Sequence, residues 1–443
     1  MSGFLHYLLS VIDPISVLGF YRVFPELMSS ASISWWLICV VPVARWVLPS
    51  VVCWLVYLVK PAVIRPPLPA QQPRAEPFVS VVIAGRNESA SIGRAIRAAL
   101  LCGYANLEVI FVDDCSDDDS VAVARRAARS VTGRSSDVAR VRILASPRRN
   151  GKASTLNIAI RMARGEFIAI VDADSEIQYG IMQHWLLPFA DPRVGAVAAN
   201  IRVRNRGASL VTRLQECEYA FQSTLARLAA ARVGLLTIVP GAGGIFRTDI
   251  VRRLGGFDTG LGDDTDMTIK LRKQRWKPDF APDALVWTDV PVTWRRLCRQ
   301  RTRWERNMVK IRLSKHRDMF VLGRYGLGNA FVMLDLLIMR VMLPWVALIG
   351  ILAVASANGP LSVPAVLTEF YWIYLIWLLI KALIARDIAD TPPPRNFWLL
   401  PLFPFYKLVL RSAIMAVELG ELLRIGVKHP YVPDHVWQEI PWW

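Results

Sequence analysis

Residues 167–177 read FIAIVDADSEI. The apolar run from Phe167 to Val171 has the length of a strand buried on both faces and lacks helical spacing. Asp172 and Asp174 close it. Two carboxylates two residues apart, just after an apolar strand, suit a divalent ion shared with phosphate, because Mg²⁺ is held by one or two carboxylates plus phosphate oxygens. Such a pair also recurs by chance, and acids after strands serve as turn residues. Its weight comes from its surroundings.

Upstream, the same pattern repeats. Val79 to Ala84 is a short apolar run ending in Gly85, and Glu108 to Val112 is another, closed by Asp113 and Asp114. Val141 to Ala145 is a third. Helical spacing falls between them, over Ser91–Leu101, Ser120–Arg129 and Ala153–Ala163. Strands alternating with helices predict an α/β fold with a mainly parallel sheet. In such a sheet ligands bind outside the carboxyl ends of the strands, where these acids fall.

Downstream, GGFDTGLGDDTDMTIKLRKQRW takes a Gly-rich turn into a helical pattern at Asp263 and Asp264. Either these acids cap the helix or one is a general base. Further on stands Gln300-Arg301-Thr302-Arg303-Trp304. Gln300 and Arg303 share one helix face, arginine grips phosphate through two bonds, and Trp304 adds a flat apolar surface. Read alone, this is a piece of a basic amphipathic helix.

The whole chain has 443 residues, is 53% hydrophobic, holds 16 Trp and carries a formal charge of +17. That apolar content excludes a disordered chain. The six cysteines are scattered, with no CxxC pair and no zinc spacing, which suits a reducing compartment. A membrane protein with a sizeable soluble part remains. Trp35 to Val59 is long enough to cross a bilayer, with Arg45 in its middle and Pro42 and Pro49 expected to kink it. Phe4 to Phe24, broken by Asp13-Pro14, reads equally as an interfacial segment or a poor span. No basic region precedes it, so a cleaved signal peptide is not expected. Leu327–Val354, Val366–Ala385 and Phe397–Ile425 are three further apolar runs. Pro401 and Pro404 suggest that part of the last is re-entrant or interfacial. Asp335 and Arg340 should face each other or a polar cavity.

These readings divide the chain into an N-terminal membrane region (1–63), a Pro-rich linker (64–77), an α/β domain (78–294), basic interfacial helices (295–325), a membrane region (326–425) and an aromatic tail (426–443). Eleven Lys or Arg against two acids lie between Arg295 and Arg324. Lys60, Arg65 and Arg74 follow the first span. Basic flanks on both sides place the α/β domain in the cytoplasm of a multi-pass protein of the cell membrane. Anionic lipid headgroups account for the same charge. Nucleic-acid binding is not expected, because no aromatic-interleaved basic sheet or zinc module occurs. The five histidines share no metal-ligand spacing and read as structural or surface residues.

Taken in order, FVSVVIAGRNES, VDDCSDD, RRNGKASTLNIAI, VDADSEI, PGAGGIFRTDI, GGFD, GDDTDMT and QRTRW are more specific than any one of them. Over Phe78 to Asn307, with apolar runs on both sides, the chain resembles membrane-embedded processive family 2 glycosyltransferases, which include hyaluronan, chitin-oligosaccharide and cellulose synthases. The GDD form is more similar to the hyaluronan and chitin-oligosaccharide branch, and PGAGGIF matches no single branch. The resemblance implies a GT-A-like (Rossmann-like) domain with transmembrane helices. It implies an inverting transfer from UDP-glucose or UDP-N-acetylglucosamine to a growing β-linked glycan, with Mg²⁺ or Mn²⁺ and export through the spans. Asn87, Glu88, Asp113 and Asp114 match positions that hold uridine. Lys152 matches a lysine near the diphosphate, Asp174 a metal ligand, and Asp172 a residue that shares the metal and approaches the nucleotide. Asp264 matches the base, with Asp263 its rival. Gln300, Arg303 and Trp304 match the element that closes over diphosphate and acceptor. The other enzyme reading is a single transfer to a membrane lipid, as in ceramide-glucosyltransferase-like proteins. Polar residues in the spans (Asp335, Arg340, Glu418) favour a sugar path. Secretion partners or a homo-oligomer are left open.

Overall fold

The computed structural model describes residues 48–64, 76–132, 140–258, 262–388 and 396–422. Phe4–Phe24, most of the linker and the aromatic tail lie outside the described residues. Of Trp35–Val59, only the apolar helix Leu48–Val59 is described.

Among the described residues eight strands form one sheet: β1 (Val79–Gly85), β2 (Leu107–Asp113), β3 (Val141–Ala145), β4 (Phe167–Asp172), β5 (Ser175–Ile177), β6 (Val194–Val203), β7 (Gly244–Arg247) and β8 (Lys277–Thr288). Their spatial order is β3-β2-β1-β4-β7-β6-β8-β5. The β3-β2-β1-β4 half is parallel, as the alternation predicts. Beyond it β7 runs antiparallel to both β4 and β6. Strand β8 returns parallel to β6, and β5 closes the edge antiparallel to β8. The sheet is therefore mixed.

Both faces of β1, β2 and β4 are covered, which explains why these strands read as apolar runs. Val81, Ile83, Val109 and Phe111 point into one core and Val82, Ile110, Ile168 and Ile170 into the other. Full burial of a side chain such as Phe111 contributes roughly 1.5–3 kcal/mol.

The register fixes what meets at the carboxyl edge. Gly85 pairs with Asp113, and Ala84 with Asp172. The acids that end β2 and β4 thus flank the end of β1. Four helices matter for the site: α1 (Lys152–Met162), α2 (Leu210–Glu218), α3 (Asp263–Lys273) and α4 (Trp294–Lys310). Gly262 starts α3 from a left-handed conformation, φ 68°, which glycine adopts without steric cost. Thr293 caps α4 by accepting the Arg296 N–H at 3.4 Å.

Among the described residues, three helices are long and apolar enough to cross a membrane: α5 (Leu327–Ser356), α6 (Ser362–Ile388) and α7 (Trp398–Gly420). Pro401 lies in a 3₁₀ turn, Phe397–Leu402, and Pro404 in the first turn of the α-helical part, Phe403–Leu422. There its missing N–H breaks no helical bond, so the run stays helical rather than looping back. Arg340 pairs with Glu305 of α4, its Nη2 lying 2.7 Å from Oε2, and Arg340 and Asp335 both line one cavity.

Candidate active site

One cavity of about 1460 Å³ gathers Lys152, Asp172, Asp174, Asp263, Asp264, Gln300, Arg303 and Trp304. The end of β4, the start of α1, the start of α3 and the middle of α4 supply them. The same cavity continues among α5, α6 and α7, where Asp335, Arg340, Tyr371, Trp377, Lys407 and Arg411 line it.

At the sheet edge Lys152 Nζ donates to Asp172 Oδ1 at 2.6 Å and lies 3.9 Å from Asp263 Oδ2. Burial opposes the charge on Lys152, but Asp172 and Asp263 outweigh it and raise its pKa. Asp174 is half-buried near Asp172 and Glu88, and its carboxyl is pushed up to about 7, first by loss of solvent and then by those two charges. Its Oδ1 accepts from Ser175 Oγ at 3.2 Å and Thr288 Oγ1 at 3.5 Å. Asp264 is pushed up to about 6, chiefly by burial and then by Asp263, with Lys152 opposing. Its Oδ1 accepts the Thr265 N–H at 2.6 Å.

This crowding of carboxylates fits a divalent cation. Oxygen donors suit Mg²⁺ and Mn²⁺, and a divalent cation would offset the Asp172 and Glu88 charges that, after burial, raise the Asp174 pKa. Among the described residues no group of three or more His, Cys, Asp and Glu is arranged to hold a metal alone. Two carboxylates with room for substrate oxygens match the way Mg²⁺ binds phosphates.

Asn87, Glu88, Asp113 and Asp114 do not line the cavity; they shape the adjoining strand ends. Asn87 sits at φ 58°, and its Oδ1 accepts the Asp117 N–H at 2.9 Å. Glu88 accepts from Ser91 Oγ at 2.6 Å, and its pKa is raised mainly by burial. Asp113 accepts the Ser116 N–H, and Asp114 accepts those of Asn150 and Gly151 at 2.7 and 2.9 Å. Asp114 therefore shapes the turn that delivers Lys152.

Sequence reasoning did not pick out Glu218, Tyr219, Arg227, Thr288 or Arg301, all of which line the cavity. Arg301 Nη2 donates to Glu218 Oε2 at 2.7 Å, and its guanidinium stacks 4.5 Å from the Trp304 ring. Only Arg301 carried a local signal, its place inside the QRTRW stretch.

The fold and this site define a GT-A-like α/β transferase domain joined to apolar helices. A family model described as "Glycosyltransferase like family 2" matches residues 75–307. The chain belongs to that family. Among curated relatives it is 29% identical over 253 residues to "Probable glycosyltransferase YdaM" of Bacillus subtilis, covering 56% of this chain and 59% of that protein. It is 29% identical over 261 residues to "N-acetylglucosaminyltransferase" of Rhizobium meliloti, with the same coverage. It is 27% identical over 228 residues to "Poly-beta-1,6-N-acetyl-D-glucosamine synthase" of Staphylococcus epidermidis, covering 51% and 53%. The matches span less than two thirds of these relatives' own length. Among solved structures, a mannosyltransferase from Pyrobaculum calidifontis in complex with GDP-Man and Mn²⁺ superposes with a TM-score of 0.58 at 20% identity. It covers 88% of this chain and 99% of that one, and it shares the fold.

Proposed function

We propose that this protein is an inverting hexosyltransferase that adds sugars from UDP-glucose or UDP-N-acetylglucosamine to a β-linked glycan, which leaves through the membrane helices. The observation that supports this best is the cavity's continuity. Catalytic-type carboxylates stand at one end and polar and aromatic side chains of three apolar helices at the other.

In this reading an acceptor hydroxyl loses its proton to Asp264 as its oxygen attacks the anomeric carbon. The bond from that carbon to the diphosphate breaks, and the electron pair leaves with UDP. A single displacement inverts the centre, so an α-linked donor yields a β-linkage. Lys152 and Arg303 hold the departing diphosphate, and Asp172 and Asp174 would hold the divalent ion. That ion, when bound, neutralises charge on the leaving group. Gln300 and Trp304 support the acceptor end. The α/β domain is cytoplasmic, and cysteines engineered into it should resist labelling from outside intact cells.

A second reading is a single transfer to a membrane lipid. Leu367, Trp372, Phe405 and Leu408 line the cavity yet remain 42–59% exposed, an apolar rim that an acyl chain could cross. The test is the purified protein in detergent with a panel of UDP-sugars and Mg²⁺ or Mn²⁺, reading UDP release and separating products by size. A ladder of oligomers supports polymerisation and a single glycolipid supports the second reading. No UDP release with any donor overturns both.

A further inference from the structure

Glu218 is the last residue of α2, where the helix widens into the π turn Tyr219–Thr224. It is buried, and its carboxylate binds three groups from two distant parts of the chain. Oε2 accepts from Arg301 Nη2 at 2.7 Å and from the Tyr406 hydroxyl at 2.6 Å; Oε1 accepts from Lys407 Nζ. Arg301 belongs to α4, while Tyr406 and Lys407 belong to the last apolar helix, α7. Two residues earlier, Glu216 Oε2 accepts from Asn396 Nδ2 at 2.8 Å, at the entry to α7. The end of α2 thus grips α7 at two points.

The chemistry of this node argues for more than a tie. Burial alone would raise the Glu218 pKa, but the charges of Arg301 and Lys407 hold it down to about 2. The carboxylate is therefore ionised across the working pH range. A buried carboxylate with charge-assisted bonds on both oxygens fixes its partners more firmly than neutral bonds would. Arg301 is held in turn with its guanidinium 4.5 Å from the Trp304 ring and 5.9 Å from the Tyr219 ring. Trp304 and Tyr219 both face the cavity between the catalytic carboxylates and the membrane helices.

We propose that Glu218 is a positioning residue for the acceptor: through Arg301 it sets the Trp304 indole, and through Tyr406 and Lys407 it locks that surface to α7. The idea rests on the cavity being the acceptor path. It assigns the membrane helices a part in aligning the acceptor, because the carboxylate that orients Arg301 is shared with α7. Donor binding, at Lys152 and the β4 carboxylates, lies outside the node.

The test compares Glu218→Gln, Arg301→Lys and their double variant with the wild type, as full-length protein in detergent with a UDP-sugar and divalent ion. Glu218→Gln keeps the shape and removes the charge; Arg301→Lys keeps the charge and removes the planar stack. Each should raise the acceptor KM about ten- to a hundredfold and shorten the products, with UDP-sugar affinity unchanged. The double variant should be no worse than the worse single, since both act through one node. Tyr406→Phe removes one bond to the same carboxylate. It should shift KM and product length in the same direction by less, and it carries the test if Glu218→Gln does not fold. Unchanged acceptor KM and product length, an equal loss of donor affinity, or additive single effects would each overturn the proposal. A wild-type protein that transfers no sugar refutes the functional reading instead, independently of any variant.

Discussion

Lys152 Nζ lies 2.6 Å from Asp172 Oδ1, at the point where α1 begins and β4 ends. The pair joins a cation suited to a diphosphate to an acid suited to a metal. Asp114 maintains the join by accepting the N–H groups of Asn150 and Gly151, directly before Lys152.

From this pairing the first expectation follows. Lys152→Met keeps an unbranched side chain one atom shorter and loses its charge. A hydrogen bond to a charged group is worth about 1.5–3 kcal/mol, so the donor KM should rise by roughly ten- to a hundredfold. Titrating UDP-sugar against initial rate checks it. An unchanged donor KM would assign Lys152 to holding Asp172 in place and nothing more.

Asp174 carries the next. Asp174→Ala should abolish transfer and make UDP binding indifferent to metal chelation. In the wild type, EDTA should weaken UDP binding and added Mn²⁺ or Mg²⁺ should restore it. Calorimetric titration of UDP with and without EDTA reads both proteins. Full activity of the variant with metal present would remove Asp174 from the site.

A third expectation concerns stability. Asp266, in the first turn of α3, is buried; its Oδ1 stands 2.7 Å from His316 Nε2 and 2.6 Å from Lys315 Nζ. Burial would raise its pKa, but the His316 hydrogen bond and the charges of Lys315 and Lys270 bring it down to about 2. The folded value lies below the unfolded one near 3.9. This group's stabilising contribution is therefore complete above about pH 4 and is lost as pH falls through about 2. Asp266→Asn leaves Lys270 and Lys315 with Asp258 as their remaining acid and should cost about 1–3 kcal/mol, seen as a lower Tm at pH 7. That difference should shrink on acidification. Equal melting of both proteins at pH 7 would deny the cluster its role.

How far the sequence reveals all this depends on where each partner lies. Strands β1, β2 and β4 are legible because burial on both faces demands largely apolar runs, and the acids of β2 and β4 fall at strand ends. Strand β8 is not, since Pro278, Asp279, Pro282 and Asp283 read as loop. It holds because its register with β6 shifts between Ala199 and Asn200, opposite the Pro282 region. Irregularities of this kind are where a strand admits proline. His316 fits its reading as structural. Glu218 had no readable signal: its partners are 83, 188 and 189 residues away, and only the fold brings them together. Glu305 is similar, looking like an isolated charge until α4 and α5 meet and bring Arg340 to it.

The last expectation separates the two acids at the start of α3. Asp264 is half-buried and its carboxyl is pushed up to about 6, whereas Asp263 lies 3.9 Å from Lys152. A base must be ionised to accept a proton, so turnover should fall as pH drops through about 6. Removing a positioned general base costs about 10²–10⁴ in rate and need not weaken ground-state donor binding. Asp264→Asn should therefore bind UDP-sugar almost normally and turn over very slowly. It should not melt early. A raised carboxyl pKa means the native state holds an extra proton between about pH 4 and 6, so its ionisation at pH 7 opposes folding. Replacing it with a neutral amide should leave Tm level or higher. Asp263→Asn should instead loosen donor binding, by releasing a partner of Lys152, while retaining turnover at saturating donor. Binding, turnover and Tm measured together on the two variants decide the assignment. Loss of turnover in Asp263→Asn with activity preserved in Asp264→Asn would make Asp263 the base.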